Sequence, residues 1–169
     1  MTKQTMPPWQ YGLGVGFAGL LTVGGAAMII FGVNFVQEAL AAKKWPVVAG
    51  EIKSVQVIRE VDRNGSTRVE THHLTITYDY QVDGNAYTGD RYSLGDGSTA
   101  SKRFNERSKA IAEKNKYPIG SAIDVFYKPT EPSLAILKPG ANFGTAVPII
   151  LGFIFLSTGL SLLILVIRN

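Results

Sequence analysis

From Gly12 to Val36 the chain reads G-L-G-V-G-F-A-G-L-L-T-V-G-G-A-A-M-I-I-F-G-V-N-F-V without a charged side chain, and from Phe143 to Ile167 it is uncharged again. Wound as a helix at about 1.5 Å per residue, each stretch reaches across roughly 30 Å of hydrocarbon. A buried core helix has no use for that length. A cleaved signal peptide has a shorter apolar run, about 7 to 15 residues, followed by a small-residue cleavage site. No such site clearly precedes the polar Gln37-Glu38 pair, and Arg168 stops the second stretch. Two uncleaved transmembrane helices are therefore expected: residues 10–44 for the first with a juxtamembrane extension, and 141–168 for the second. A soluble domain, residues 45–140, lies between them on one side of the membrane, with both termini on the other.

Charge follows the same division. All 13 Asp and Glu lie between Gln37 and Asn142, and of the 17 Lys and Arg only Lys3 and Arg168 lie outside that stretch. The middle is close to neutral and mixes its signs, whereas a nucleic-acid binder gathers Lys and Arg on one face. Nucleic acid is accordingly not expected as a partner. With no cysteine, disulfide scaffolds and thiolate zinc sites are excluded. Lys43, Lys44 and Lys138 near the membrane almost balance Lys3, the α-amino group and Arg168. Flank charge loses force for loops beyond about 60 residues, so the soluble domain is expected outside the cytoplasm.

Small residues in the spans mark helix-packing surfaces, because helices in lipid associate through close backbone contact. Gly12 and Gly16 form a G-x-x-x-G pair with Gly19 one turn on, and Gly152 and Gly159 share a face seven residues apart. The spans can pack on each other through these glycines, or on another protein. Trp9 and Trp45 suit the headgroup level.

Between the spans the apolar period falls from helical to two. Trp45-Pro46 ends the first helix, because the residue before proline is pushed out of the α region. Val47–Glu60 reads as a first strand, Asp62 to Gly65 as a hairpin turn, and Thr67–Val82 as a second strand. Leu74, Ile76, Tyr78, Tyr80 and Val82 share one face of that strand, as in antiparallel sheets buried on one side. A turn at Asp83-Gly84-Asn85 leads to a strand over Ala86–Leu94. Ser98 is placed to cap a helix over 98–116, with Phe104, Ser108, Ile111 and Ala112 inward. Tyr117-Pro118-Ile119-Gly120 is a turn, and Ala122–Tyr127 and Leu134–Leu137 are strands joined across Pro129 and Pro132. The expected class is an α+β membrane protein: two transmembrane helices flanking a five-stranded antiparallel, barrel-like β domain with one inserted helix.

With these elements placed, W-P-V-V-A-G-E-I at Trp45–Ile52, Y-D-Y-Q-V-D-G-N-A-Y-T-G at Tyr78–Gly89, Y-P-I-G at Tyr117–Gly120 and V-F-Y-K-P-T-E-P-S-L-A-I-L-K-P-G at Val125–Gly140 carry a resemblance. Their order and spacing resemble a bacterial two-pass membrane-protein family known only as a domain of unknown function (thirty-five ninety-two). The resemblance extends over nearly the whole chain and implies architecture and a bacterial inner-membrane location, with no catalytic or cofactor residues to carry over. Lys128 departs from the Asp or Asn more usual there. Each motif also has a structural reading. Pro46 and Gly50 belong to the turn away from the bilayer and to a bulge in the first strand, Gly84 to a hairpin needing positive φ, and Gly120 to the turn after the helix. Tyr127, Pro129 and Pro132 frame a final hairpin held open by its prolines.

Reactive constellations are scarce. His72 and His73 are neighbours on a strand and point to opposite faces, so they cannot readily share a metal. A surface position at the membrane-distal end is expected for them. Gly95-Asp96-Gly97-Ser98 before a helix can cradle an anion, though a helix cap suffices to explain it. Asp79, Asp83, Asp90 and Asp96 are spread over turns and one strand face without the spacing of an acid and base pair. Walker, dinucleotide-binding and nucleophile-elbow patterns are absent, and no catalytic residue, cofactor or metal is assigned. Two classes of function remain. One is a non-catalytic accessory or assembly subunit, with membrane lipids and another membrane protein or complex, or a second copy, as partners. The other is a small membrane-tethered sensor or enzyme with a site where the domain meets the bilayer.

Overall fold

The computed structural model describes residues 7–64, 67–96 and 103–168. It forms two compact units, one from the chain up to Gln37 together with Thr145 onward, the other from Glu38 to Gly144.

The first unit is built from two helices, α1 (Pro8–Ala41) up to Gln37 and α3 (Phe143–Arg168) from Thr145. Both are long and apolar enough to cross a membrane. Their buried positions recur every seven residues. On α3 these are Thr145, Gly152, Gly159 and Val166, and on α1 they are Ala18, Gly25 and Gly32. A strict seven-residue repeat keeps one seam of each helix facing its neighbour, and with small residues at the seam the backbones come together.

In the second unit a 3-10 turn, Ala42–Lys44, follows α1 and ends at Trp45, whose ψ of 146° is the extended value imposed by Pro46. Five antiparallel strands then form one sheet in the order β3-β2-β1-β4-β5. They are β1 (Val47–Asn64), β2 (Thr67–Val82), β3 (Asn85–Gly89), β4 (Ala122–Lys128) and β5 (Glu131–Ile136). The edge strands β3 and β5 are not hydrogen-bonded to each other, so the sheet is open and the expected closure into a barrel does not occur. Instead, side chains of β2 reach across one face of the sheet. The Tyr78 hydroxyl lies 2.9 Å from the Arg91 carbonyl and 3.0 Å from that of Ala135, while Tyr80 donates to the Pro132 carbonyl at 2.7 Å. The core is this face: Ile52, Val55, Leu74, Ile76, Tyr78, Tyr80, Val82, Val125 and Ala135.

Several boundaries differ from expectation for identifiable reasons. Asn64 pairs with Thr67, so β1 continues through Asp62 and Arg63 and a two-residue connection joins the strands. Gly65, the last residue of the expected turn, lies outside the described residues. At the second turn Val82 pairs with Asn85, leaving Asp83 (φ 52°) and Gly84 (φ 80°) as a turn with two positive φ values. β3 stops at Gly89, well short of Leu94, where the chain leaves the ladder and Tyr92 accepts bonds from Leu137 and Lys138. The bulge in β1 falls between Ile52 and Ser54, not at Gly50.

The inserted helix is much shorter than 98–116: α2 spans Arg107–Lys114. Phe104 explains why. Its N–H and C=O pair with His72 at 2.8 and 2.7 Å in an isolated bridge, which holds this segment extended along β2. The backbone is committed there and cannot begin a helix until after it. Ser98, the expected cap, lies outside the described residues. Phe104 still packs on the core, from outside the helix, but Ser108, Ile111 and Ala112 are exposed and Ala110 is the buried contact of α2.

Candidate functional site

The seam of the first unit is built from backbone. A Cβ added at Gly25 would lie 2.5 Å from the Leu156 nitrogen, and at Gly32 2.6 Å from Ile149 Cγ1. At Gly152 it would lie 2.7 Å from Ile29 Cγ1, and at Gly159 2.5 Å from Thr22 Oγ1 and 2.9 Å from the Ala18 carbonyl. Carbon atoms do not approach so closely, so the antiparallel contact requires glycine at all four positions. Gly14, opposite Val166 at 3.1 Å, extends it to the far end.

Gly152 and Gly159 thus meet α1, while Gly12, Gly16 and Gly19 do not meet α3: a Cβ at any of the three would find nothing within 4 Å. With about 100° per residue, Gly16 lies on the side of α1 opposite Gly25. The residues that close the helix pair, Gly25 and Gly32, were not anticipated. The signal for them is the recurrence of small residues seven apart at Ala18, Gly25 and Gly32, matching the spacing of Gly152 and Gly159. Trp9 is 65% exposed on α1, and Trp45 is half-buried.

The motif residues of the β domain have structural work within it. The Pro46 carbonyl accepts from the Tyr127 N–H, tying β4 to the start of β1. Gly50 is pressed between strands, since a Cβ there would meet Val125 Cγ2 at 2.6 Å and the Asp79 carbonyl at 3.0 Å. Pro118 accepts from both the backbone and the hydroxyl of Ser121, and Gly120 (φ 81°) donates to the Ile52 carbonyl. Tyr117 and Tyr127 pack against the core. The last hairpin is not held open. Lys128 pairs with Glu131 around Pro129-Thr130, and Pro132 sits within β5, an edge strand where its missing N–H is tolerated.

Polar groups are mostly engaged. Asp79 accepts from the Thr88 hydroxyl at 2.5 Å and pairs with Lys53 at 3.2 Å, and these contacts, Thr88 first, hold its carboxyl below the usual range. It borders a shallow hollow of about 620 Å³ on the outer sheet face with Glu51, Gln81 and Thr88. Asp96 accepts from Ser93 and Asn142 at 2.9 and 2.6 Å, which fixes its loop. Gly97 and Ser98, the rest of that candidate cradle, lie outside the described residues. Among the described residues, no group of three or more His, Asp or Glu is placed to hold a metal ion.

The histidines are not surface residues. His72 is 4% exposed and faces inward, and the His73 side chain, on the other face, is 13% exposed. His72 Nε2 lies 3.4 Å from Glu70 Oε1, and Glu70 Oε2 accepts from Arg59 at 2.6 Å. The Arg59 hydrogen bond, above all, keeps the Glu70 carboxyl below its ordinary range.

Fold and site define an open, curled five-stranded antiparallel sheet with one short helix, in a chain that also carries a glycine-seamed pair of apolar helices. Residues 48–142 match the family model of the domain of unknown function DUF3592, and the chain belongs to that family. The matched residues cover the β domain and neither apolar helix. Among curated proteins, none matches the chain.

Proposed function

We propose that the protein is a two-pass integral membrane protein of the bacterial cytoplasmic membrane, with its β domain on the extracytoplasmic side, that serves as a non-catalytic accessory or assembly subunit of a larger membrane complex. Supporting the membrane assignment, only 11% and 17% of the most apolar windows of the two helices are buried, against the near-complete burial of a soluble core helix. The observation that carries the docking role is the division of α1 into two glycine faces. One is closed on α3 through Gly25 and Gly32. The other, Gly12, Gly16 and Gly19, has room for the close approach of a further helix.

Gly16→Ile fills the second face without touching the α3 seam. It is expected to reduce the size of the detergent-extracted assembly and to release co-purifying membrane proteins, while Leu20→Phe, where a large side chain already stands, changes neither. An unchanged assembly with Gly16→Ile overturns the docking role. Labelling of a cysteine at Asn85 by a membrane-impermeant thiol reagent in whole cells tests the orientation, and labelling only after lysis reverses it.

A further inference from the structure

We propose that β1 presents an open strand edge, Val55–Val61, to which a second copy of this chain adds its own β1, antiparallel about a two-fold axis through Ile58. The interface lies within the β domain and does not rest on the glycine face of α1 or on membrane insertion.

The two sides of β1 are unequally covered. β2 pairs with it from Gly50 to Asn64, whereas β4 pairs with it only from Val47 to Glu51. One further step, in which Ile52 donates to the Ser121 carbonyl and accepts from the Gly120 N–H, ends that side. From the bulge onward no strand lies beside β1 on the β4 side among the described residues. A long unpaired edge is a template for another strand.

The direction of its free groups follows from β2. In an antiparallel ladder each residue turns its N–H and C=O to the same side, and successive residues alternate. His72 commits both groups to Phe104, away from β1. Its partner Arg59 therefore turns both of its own away from β2. Val57 opposite Leu74, Val55 opposite Ile76 and Val61 opposite Glu70 repeat that orientation. The backbone groups of Val55, Val57, Arg59 and Val61 thus line the open edge, with no hydrogen-bond partner among the described residues. The backbone of an added strand matches the spacing of such a row.

Self-complementarity selects the occupant. An axis through Ile58 sets Val57 against Arg59 of the other copy and Val55 against Val61, so every group in the row meets a counterpart. On the outer face Ile58, 36% exposed, meets itself, and the Gln56 amide stands opposite the Glu60 carboxylate. Glu60 holds Arg103 at 2.5 Å through Oε2, which leaves Oε1 to accept from Gln56. Moving the axis to Arg59 or Glu60 sets like charges directly opposite, a destabilising arrangement. Moving it to Val57 sets Val61 against the bulge at Lys53.

Disulfide formation by Ile58→Cys, in the full chain purified in detergent, tests this, because the chain has no cysteine of its own. Residues opposite each other in a non-hydrogen-bonded pair have Cα atoms about 4.5 Å apart, within disulfide reach. Oxidation is expected to give a covalent dimer, whereas Val69→Cys, 47% exposed on β2 and away from that edge, stays monomeric. Ile58→Lys and Ile58→Glu alter an exposed side chain and keep the fold, read by far-ultraviolet circular dichroism. Each is expected to weaken the dimer by about tenfold or more in light scattering, because like charges then meet on the axis. An equal mixture of the two should regain dimer. Absence of the Ile58→Cys dimer overturns the proposal, including the case in which a strand of another protein takes the edge. A Val69→Cys cross-link of equal yield, or undiminished dimer in both charged variants, overturns it as well.

Discussion

Gly25 and Gly152 exclude each other's side chains reciprocally: a Cβ on either would lie 2.8 Å from the other's carbonyl oxygen. Neither contact can be relieved by turning a flexible side chain, because both obstacles are backbone. The helix pair therefore depends on the two hydrogens that these residues carry in place of side chains. Small residues contribute here by what they omit, and lipid offers no hydrophobic drive to compensate for a widened gap.

Gly25→Val or Gly152→Val is accordingly expected to force α1 and α3 apart, at the roughly 1–3 kcal/mol typical of overpacking. Gly14→Cys with Val166→Cys provides the readout, since Gly14 and Val166 face each other and the chain has no cysteine of its own. Oxidation should join this pair in the parent and in Gly16→Ile, but poorly in Gly25→Val. Equal cross-linking in all three would mean that the seam does not depend on Gly25.

Gly89 plays the same part in the β domain. It stands opposite Tyr78 in the β2–β3 ladder, and a Cβ there would enter the tyrosine ring at 2.5 to 2.8 Å. Gly89→Ala must tilt the ring away from the Arg91 and Ala135 carbonyls that its hydroxyl reaches. A destabilisation of about 1–3 kcal/mol is expected, read as a lowered denaturation midpoint by near-ultraviolet circular dichroism. Tyr78→Phe, which keeps the ring and loses the hydroxyl, should cost about 1–2 kcal/mol.

Much of this domain is legible in the sequence because strand period is a local property. Alternation from Leu74 to Val82 places β2 to the residue, and Asp83-Gly84 announces its turn. Less legible is whatever depends on a partner far along the chain. Helix propensity over 98–116 yields to the Phe104–His72 bridge, and closure into a barrel yields to Tyr78 and Tyr80 reaching β5. Gly152 and Gly159, the α3 side of the helix seam, are legible from their seven-residue spacing, but the α1 side is missed: a G-x-x-x-G template selects Gly12 and Gly16, while the operative repeat is seven residues long. Arg59, Glu70, His72 and Arg107 are separated by up to forty-eight positions; the register of β1 on β2 brings the first three together, and α2 adds Arg107.

Buried Tyr78 and half-buried Tyr92 predict the alkaline limit of stability. Tyr92 is pushed up to about 12 from 10.0, by burial first and then by its hydrogen bond with Tyr117, and burial raises Tyr78 further still. Above pH 10 the unfolded chain loses these protons while the folded chain keeps them, so the unfolded state binds fewer protons and stability falls with rising pH. The contribution is intact below pH 10 and declines through about 12. Denaturation midpoints measured from pH 8 to 12 should bend downward above 10, with a shallower slope in Tyr92→Phe. A slope unchanged by that substitution would remove Tyr92 from the account.

The Lys128 ammonium donates to Glu38 across ninety residues of chain. Both side chains are about one-third exposed, so solvent screens the pair and its worth is modest, about 0.2–1 kcal/mol. The sign of the local field matters more than that figure. Lys128→Asp installs a second carboxylate beside Glu38, replacing attraction with repulsion, and should lower the thermal midpoint more than the neutral Lys128→Met. Adding Glu38→Lys to Lys128→Asp restores an opposite-charge pair with its polarity reversed. That double variant is expected to regain stability relative to Lys128→Asp, and raising the salt concentration should narrow the difference. If the double variant is no more stable than the single one, charge does not hold Glu38 to Lys128 and the contact reflects only their proximity.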